Sequence, residues 1–359
     1  MINLSVGCNF GEEHIQAICD LIDLQVSLNS ENRITSVYGS PGYLNLFGSV
    51  RPRRREMDVK DQSYLDGIQR LRNRNVSIMW TMNSLTPLFR TSSVSFDDVA
   101  TWLVNAHGTG MFDQLIISHP GLIDSMLNFP HIGIIISTIM NVHNIAQINM
   151  IKEKWPTVVG ICPALWRNRD LEWLKRANKI IPLELLANEF CSLGGVECEG
   201  LYRQTCYLSQ SMDMTTWNPM DICRPSRERS PEAWLKAKFI LPDWMKSYET
   251  ETGVKSFKIT GRTHPASFIK YVGEMYVRGE AHGNLLALWG MLEATYADAK
   301  PCQDAAQKDA LGHVYPNIPV EKVAKAGYYL NPICNSENCS DTCEHCKRLY
   351  DKIMGEDNG

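Results

Sequence analysis

The sequence predicts an α/β protein built as a (β/α)8 barrel of the TIM type. Three observations carry this reading. Eight short apolar segments recur up to residue 260, amphipathic helical stretches lie between most of them, and each apolar segment is hydrophobic on both faces. A strand covered by helices on one side and buried in a barrel on the other has this composition.

The strands are expected at INLSV (2–6), ITSVYG (34–39), VSIMWTM (76–82), QLIIS (114–118), IGIIIS (132–137), TVVGIC (157–162), IIPLELL (180–186) and SFKIT (256–260). Helical periodicity follows in EEHIQAICDLIDLQVSL, SYLDGIQRLRNR and SFDDVATWLVNAH, the last opening on a Ser N-cap with acidic residues in its first turn. An open, doubly wound sheet is the competing arrangement and would normally place a Gly-rich phosphate loop after its first strand. VGCNFGEEH is not GxGxxG, so the closed barrel is preferred.

The alternation fails once. Residues 187–255 separate the seventh strand from the eighth, far more chain than a barrel connection needs. A segment that follows a barrel strand lies on the C-terminal face, where active sites are built. Residues 1–285 are thus read as the barrel. Residues 286–359 are read as an extension packed on it, helical through NLLALWGMLEATYADA and then polar.

Composition narrows the function. The 359 residues are 44% hydrophobic and 21% charged, ordinary for a globular protein. A formal charge of −4 argues against a surface coated in basic residues for nucleic acid, though not against a local basic patch. The N-terminal stretch MINLSVGCNFGEEH does not read as a signal peptide, and the strongest apolar run, HIGIIISTIM, is too short to span a bilayer. No membrane span and a cytoplasmic location are expected.

Twelve cysteines are many for a reducing compartment, where clustered thiols point to metal or redox chemistry. Cys8, Cys19, Cys162 and Cys302 are scattered and are read as buried small hydrophobes. The rest form two groups. Cys191, Cys198, Cys206 and Cys223 have the spacing C-x6-C-x7-C-x16-C inside the long insertion. None of these gaps is the C-x2–4-C knuckle of a structural zinc site, whereas a four-iron, four-sulfur cluster accepts loosely spaced thiolates; plain packing stays open. Cys334, Cys339, Cys343 and Cys346 (C-x4-C-x3-C-x2-C) lie in a polar tail that does not form a core without metal. They are expected to hold a second iron–sulfur cluster or zinc, with His345 as a substitute ligand.

Several short pieces resemble peptidase family U32, the collagenase-like proteases: ELLANEFC, TCYLS and DICRPSRE around the first cysteine group, STIMNVHN (137–144), HPGLI (119–123) and FKITGR (257–262). His119 stands where the family pattern has Asp, and Thr260 where it has Glu. Arg167, Arg169 and Asp170 offer a shifted version of the family's Arg–Glu pair after the sixth strand. The resemblance implies an iron–sulfur barrel, with Cys191, Cys198, Cys206 and Cys223 holding a 4Fe-4S cluster. It further implies an oxygen-independent hydroxylase acting on a small molecule or an RNA base, with prephenate as oxygen donor. A U32-type peptidase is the alternative, although the sequence has neither HExxH nor GxSxG. A third reading is a non-catalytic iron–sulfur subunit that forms a heterodimer with a related barrel protein. An electron-transfer partner fits the hydroxylase reading.

Residues just past strand ends are the remaining candidates for substrate contact. These are Asn83, His119, Asn141, His143, Glu184, Lys258 and Arg262, of which His119, Asn141, Glu184, Lys258 and Arg262 form the expected catalytic set. Glu184 should face the barrel interior, where a buried carboxylate needs a cation, and Lys258 or Arg262 would supply it. The arginine run RPRRRE (51–56) follows the second strand; it is read as a solvated loop, with a phosphate, carboxylate or RNA backbone as its alternative ligand.

Overall fold

In a computed structural model the eight predicted strands form one parallel sheet. The strands are β1 (Ile2–Gly7), β2 (Asn32–Gly39), β3 (Ser77–Met82), β4 (Gln114–Ile117), β5 (Gly133–Ile136), β6 (Val158–Ile161), β7 (Glu184–Leu186) and β8 (Ser256–Ile259). Residues 1–40, 62–84, 95–191, 227, 230–290, 307–308, 314–326 and 343–355 are described. The strand order β6-β5-β4-β3-β2-β1-β8-β7 leaves β6 and β7 at the two ends. A parallel bridge between Ile161 and Leu183 joins those ends, with the Ile161 N–H donating to the Pro182 carbonyl at 3.0 Å. The sheet is therefore a nearly closed eight-stranded barrel, and every predicted strand is present.

Side-chain alternation divides each strand between two environments. Leu115 and Ile117 of β4, and Ile134 and Ile136 of β5, join the large core between sheet and helices. Their neighbours Ile116 and Ile135 join Tyr38 and Met79 in a separate small cluster. This cluster lies inside the barrel, because the intervening residues point the other way.

The helices α1 (Glu12–Ser27), α2 (Gln62–Arg72), α3 (Phe96–Gly108), α4 (Pro120–Met126), α5 (Ile145–Lys154) and α6 (Leu171–Asn178) alternate with the first seven strands. Ser95 caps α3 as expected, in a reciprocal capping box with Asp98. Helix α7 (Met245–Thr252) precedes β8, and α8 (Ala266–Arg278) follows it and packs on α1. At that contact a Cβ on Gly273 would come within 2.4 Å of Leu21 Cδ1, so glycine sets how closely the two helices approach.

The insertion 187–255 contains an ordered, buried part. Phe239, Ile240 and Leu241 are fully buried, a short 3-10 helix spans Pro231–Lys236, and α7 supplies the ordinary helix of the seventh unit. Asn168 and Arg169, just after β6, donate to the carbonyls of Lys238, Ala237 and Phe239, which satisfies this irregular backbone as it crosses the core. The helical expectation for NLLALWGMLEATYADA is met only by a 3-10 helix, Leu285–Trp289, stopped by Gly290 at φ 74°; residues 291–299 lie outside the described residues. All five residues of that turn are buried, so it belongs to the body of the barrel.

Beyond it, α9 (Val320–Lys325) and α10 (His345–Gly355) pack on the barrel. Trp244 Nε1 donates to the Ala324 carbonyl at 3.2 Å, and α10 lies on the Pro231–Lys236 helix. Among the described residues no helix is long and apolar enough to cross a membrane.

Candidate functional site

The C-terminal ends of the strands enclose a cavity of about 200 Å³. Each contributing strand reaches it through its last inward residue: Tyr38 on β2, Thr81 on β3, Ile116 on β4, Cys162 just past β6, Leu186 on β7 and Lys258 on β8. The mouth is the one place where all of these side chains converge, as strand alternation in a closed barrel requires.

Lys258 forms its cationic floor. The ammonium stands 3.2 Å from Glu184 Oε2 and 3.9 Å from the centre of the Tyr38 ring, and both charged side chains are buried. The phenol below the ammonium is itself committed: Tyr38 donates to the Ile259 carbonyl at 3.0 Å. Burial raises the tyrosine far above the ordinary phenol range, so it stays neutral beneath the lysine. Arg262 adds a second cation, with Nη1 donating to Ser40 Oγ at 3.1 Å while that hydroxyl donates to the Thr81 carbonyl. Thr81 Oγ1 and Asn83 Oδ1 are buried at the same rim, with no hydrogen-bond partner among the described residues.

Asn188 holds the far wall. Its side chain accepts from the Thr260 N–H at 2.6 Å and donates to the carbonyls of Thr260 and Leu288 at 3.3 and 3.1 Å. The ends of β7, β8 and the Leu285–Trp289 turn are thereby joined, which brings Trp289 into the cavity wall. Next in sequence, Glu189 Oε1 accepts the N–H groups of Phe190 and Cys191 at 3.0 and 3.2 Å.

Cys191 is buried beside this wall. Arg227, also buried, donates to the Phe190 carbonyl at 2.6 Å and lies over the rings of Trp234 and Phe190. The segment carrying the other three cysteines of the first group therefore leaves and returns at one place on the rim, although its ends are 37 positions apart. Cys198, Cys206 and Cys223 lie outside the described residues. One thiol of the expected iron–sulfur set, Cys191, directly follows the cavity-lining Phe190, and a set of four thiolates has the chemistry that suits iron. Among the described residues no group of three or more His, Cys, Asp or Glu could hold a metal ion.

Of the expected catalytic set, the structure brings together Glu184, Lys258 and Arg262, with Asn83 beside them. His119 and Asn141 do not line the cavity. His119 is the N-cap of α4; its Nδ1 accepts from the Gly121 N–H at 3.1 Å, and partial burial lowers its pKa. Asn141 takes a left-handed conformation (φ 61°, ψ 47°) that ends the short 3-10 helix Thr138–Met140, and its carbonyl meets His143 Nδ1 at 2.8 Å. The His143 carbonyl in turn accepts from Arg167, which pairs with Asp170, so these residues brace the loop after β6. In the tail, Cys343 is half-buried and Cys346 is buried on α10, while Cys334, Cys339 and Cys302 lie outside the described residues, as does 51–56.

Sequence reasoning missed Tyr38, Thr81, Cys162, Asn188 and Trp289. For the first three the signal existed, since each is the last inward residue of its strand. Cys162 had been read as ordinary burial, and buried it is: desolvation pushes its thiol up to about 12, against the pull of Lys258 and with a further push from Glu184.

The fold and this mouth define a barrel protein of the (β/α)8 type with a polar site at the C-terminal ends of its strands, lined by Lys258, Arg262 and Glu189. A model of peptidase family U32 matches residues 25–159, from the end of α1 to β6. An uncharacterized protease of Methanocaldococcus jannaschii is 26% identical over 186 residues, 49% of this chain and 52% of that protein, so the match spans about half of each. A solved structure of a U32 peptidase superposes with a TM-score of 0.42 and 11% identity, covering 62% of this chain and 84% of that one.

Proposed function

We propose that the protein is an iron–sulfur enzyme that hydroxylates a small molecule or an RNA base without oxygen. The observation that supports this reading is that buried Cys191 directly follows Phe190 of the cavity wall, with Arg227, from the far end of the cysteine-bearing segment, bonded to the Phe190 carbonyl. A 4Fe-4S cluster on Cys191, Cys198, Cys206 and Cys223 would lie against that rim and supply one-electron chemistry. Lys258 and Arg262 would attract anionic or carbonyl oxygens of the substrate. Thr81 and Asn83 offer its polar groups hydrogen-bonding atoms that have no partner among the described residues, and the Trp289 wall limits water. The reading includes a second cluster or zinc on the tail cysteines, an electron-transfer partner and a cytoplasmic location.

The relative's description as a protease supports a second reading, peptidase activity. The mouth favours it less. Its thiol, Cys162, is held protonated by burial, and the Thr138 hydroxyl donates to the Pro163 carbonyl at 2.8 Å. A cysteine nucleophile needs the opposite, an accessible thiolate.

Anaerobic purification tests the choice. Brown protein with iron and sulfide in similar amounts is expected, and Cys206→Ala should lose most of that iron and expose the segment 192–226 to proteolysis. Colourless protein containing only zinc, or metal-free protein that cleaves a polypeptide, would overturn the proposal.

A further inference from the structure

The floor of the mouth is not the floor of the barrel. A second cavity, of about 380 Å³, opens at the N-terminal ends of the strands. Branched aliphatic side chains normally fill this part of a barrel in layers. Here Ser5, Ser36, Ser77, Gly160 and Ser256 line the cavity with side chains too small to meet across the axis, while Met79, Gln114 and Ile135 line the rest of it. Glu184 lines this lower cavity, and Lys258 lines the mouth above. Their ion pair at 3.2 Å is the partition between the two spaces.

Two groups at the partition ask for a ligand from below. Ser5, which pairs with Lys258 across β1 and β8, is 3% exposed, and its hydroxyl has no partner among the described residues. The Glu184 carboxylate makes one hydrogen bond to the described residues, through Oε2 to Lys258. Buried oxygens left in this condition are costly unless water completes them, and a polar cavity of this size holds water where an apolar one stays dry.

We propose that the lower cavity is a water-filled access path from the N-terminal end of the barrel to the Glu184–Lys258 pair. Through it the pair exchanges protons with solvent while the mouth is covered. The path does not depend on the iron–sulfur reading, since any chemistry in the mouth would meet the same floor.

A crystal structure at high resolution should show ordered waters on Ser5 Oγ and Glu184 in the lower cavity. Proton exchange is read from the side-chain ammonium of Lys258 in ¹⁵N-lysine-labelled protein, assigned by its loss in Lys258→Met. Gly160→Val fills the path, because a Cβ there meets Pro182 O at 3.5 Å and Ile135 Cγ1 at 3.8 Å, ordinary contacts. It should slow exchange by about tenfold, leaving local opening of the barrel as the remaining route. Cys162→Met, which narrows the mouth, should leave the rate near that of the wild type. Wild-type exchange in a folded Gly160→Val protein, equal slowing by Cys162→Met, or a dry lower cavity would each overturn the proposal. If Gly160→Val does not fold, Ser77→Leu takes its place, and the waters in the wild-type crystal decide independently.

Discussion

Replacing Asn188 with alanine should loosen the mouth more than any other single truncation at its rim. The side chain is 2% exposed and makes four hydrogen bonds: from Thr260 N–H at 2.6 Å and Thr260 Oγ1 at 3.1 Å, and to the carbonyls of Thr260 and Leu288. Alanine removes all four and leaves the Thr260 N–H and the Leu288 carbonyl buried without that partner. A net hydrogen bond contributes about 1 kcal/mol and a stranded buried group costs about 1–3 kcal/mol, so the loss should be about 3–4 kcal/mol. Thr260→Val is the control; it deletes only the hydroxyl, which is shared between Asn188 Oδ1 at 3.1 Å and the Asn188 carbonyl at 3.3 Å, and should cost about 1 kcal/mol. Equilibrium urea unfolding of both variants measures the difference, with an unchanged slope showing that the denatured state is the same. Because Asn188 precedes Glu189 and Cys191, the alanine variant should also be cleaved faster by protease within 192–226. A cost below about 1 kcal/mol for Asn188→Ala would refute the reasoning, because it would mean that water satisfies those backbone groups equally well.

Two further outcomes follow from the core. Burial holds the thiols of Cys8 and Cys162 up to about 12, above the ordinary value of 9.0. A folded pKa raised in this way gives stability that is complete below pH 9 and lost as pH rises from there through about 12; urea midpoints at pH 8, 9 and 10 should therefore be flat and then fall, by up to about 1.4 kcal/mol per pH unit for each thiol. A midpoint constant to pH 10.5 would show that neither thiol is desolvated in solution. Gly273→Ala should destabilise by about 1–3 kcal/mol through the clash with Leu21, and Leu21→Ala should recover part of that in the double variant; additive costs would place the α1–α8 contact elsewhere.

Much of the site was written in strand parity. Lys258, Thr81 and Cys162 stand at the inward ends of strands that the apolar runs located to within one or two residues. The Glu184–Lys258 pair was legible for the same reason, as a carboxylate in an apolar strand must find a cation. His119 and Asn141 stand outside the cavity lining, because position after a strand does not reveal which backbone group a side chain serves. The turn His119–Pro120–Gly121 uses the imidazole as a helix cap, and Asn141 is spent on a left-handed turn that most residues resist. Asn188 gave no signal of its own, since its partners lie 72 and 100 positions away.

By itself the sequence determined the eight strands, their order, their two faces and the place of the cysteine-bearing insertion, because these depend on local periodicity and on where the alternation breaks. Closure of the barrel was decided only in three dimensions, by a single bridge between Ile161 and Leu183. So were the burial of 237–241 beneath Asn168 and Arg169, and the division of the interior into a mouth and a lower polar cavity on either side of Glu184 and Lys258. Each of these depends on which side chains meet across the barrel axis. The stagger of the strands sets that meeting, and no stretch of sequence carries the stagger alone.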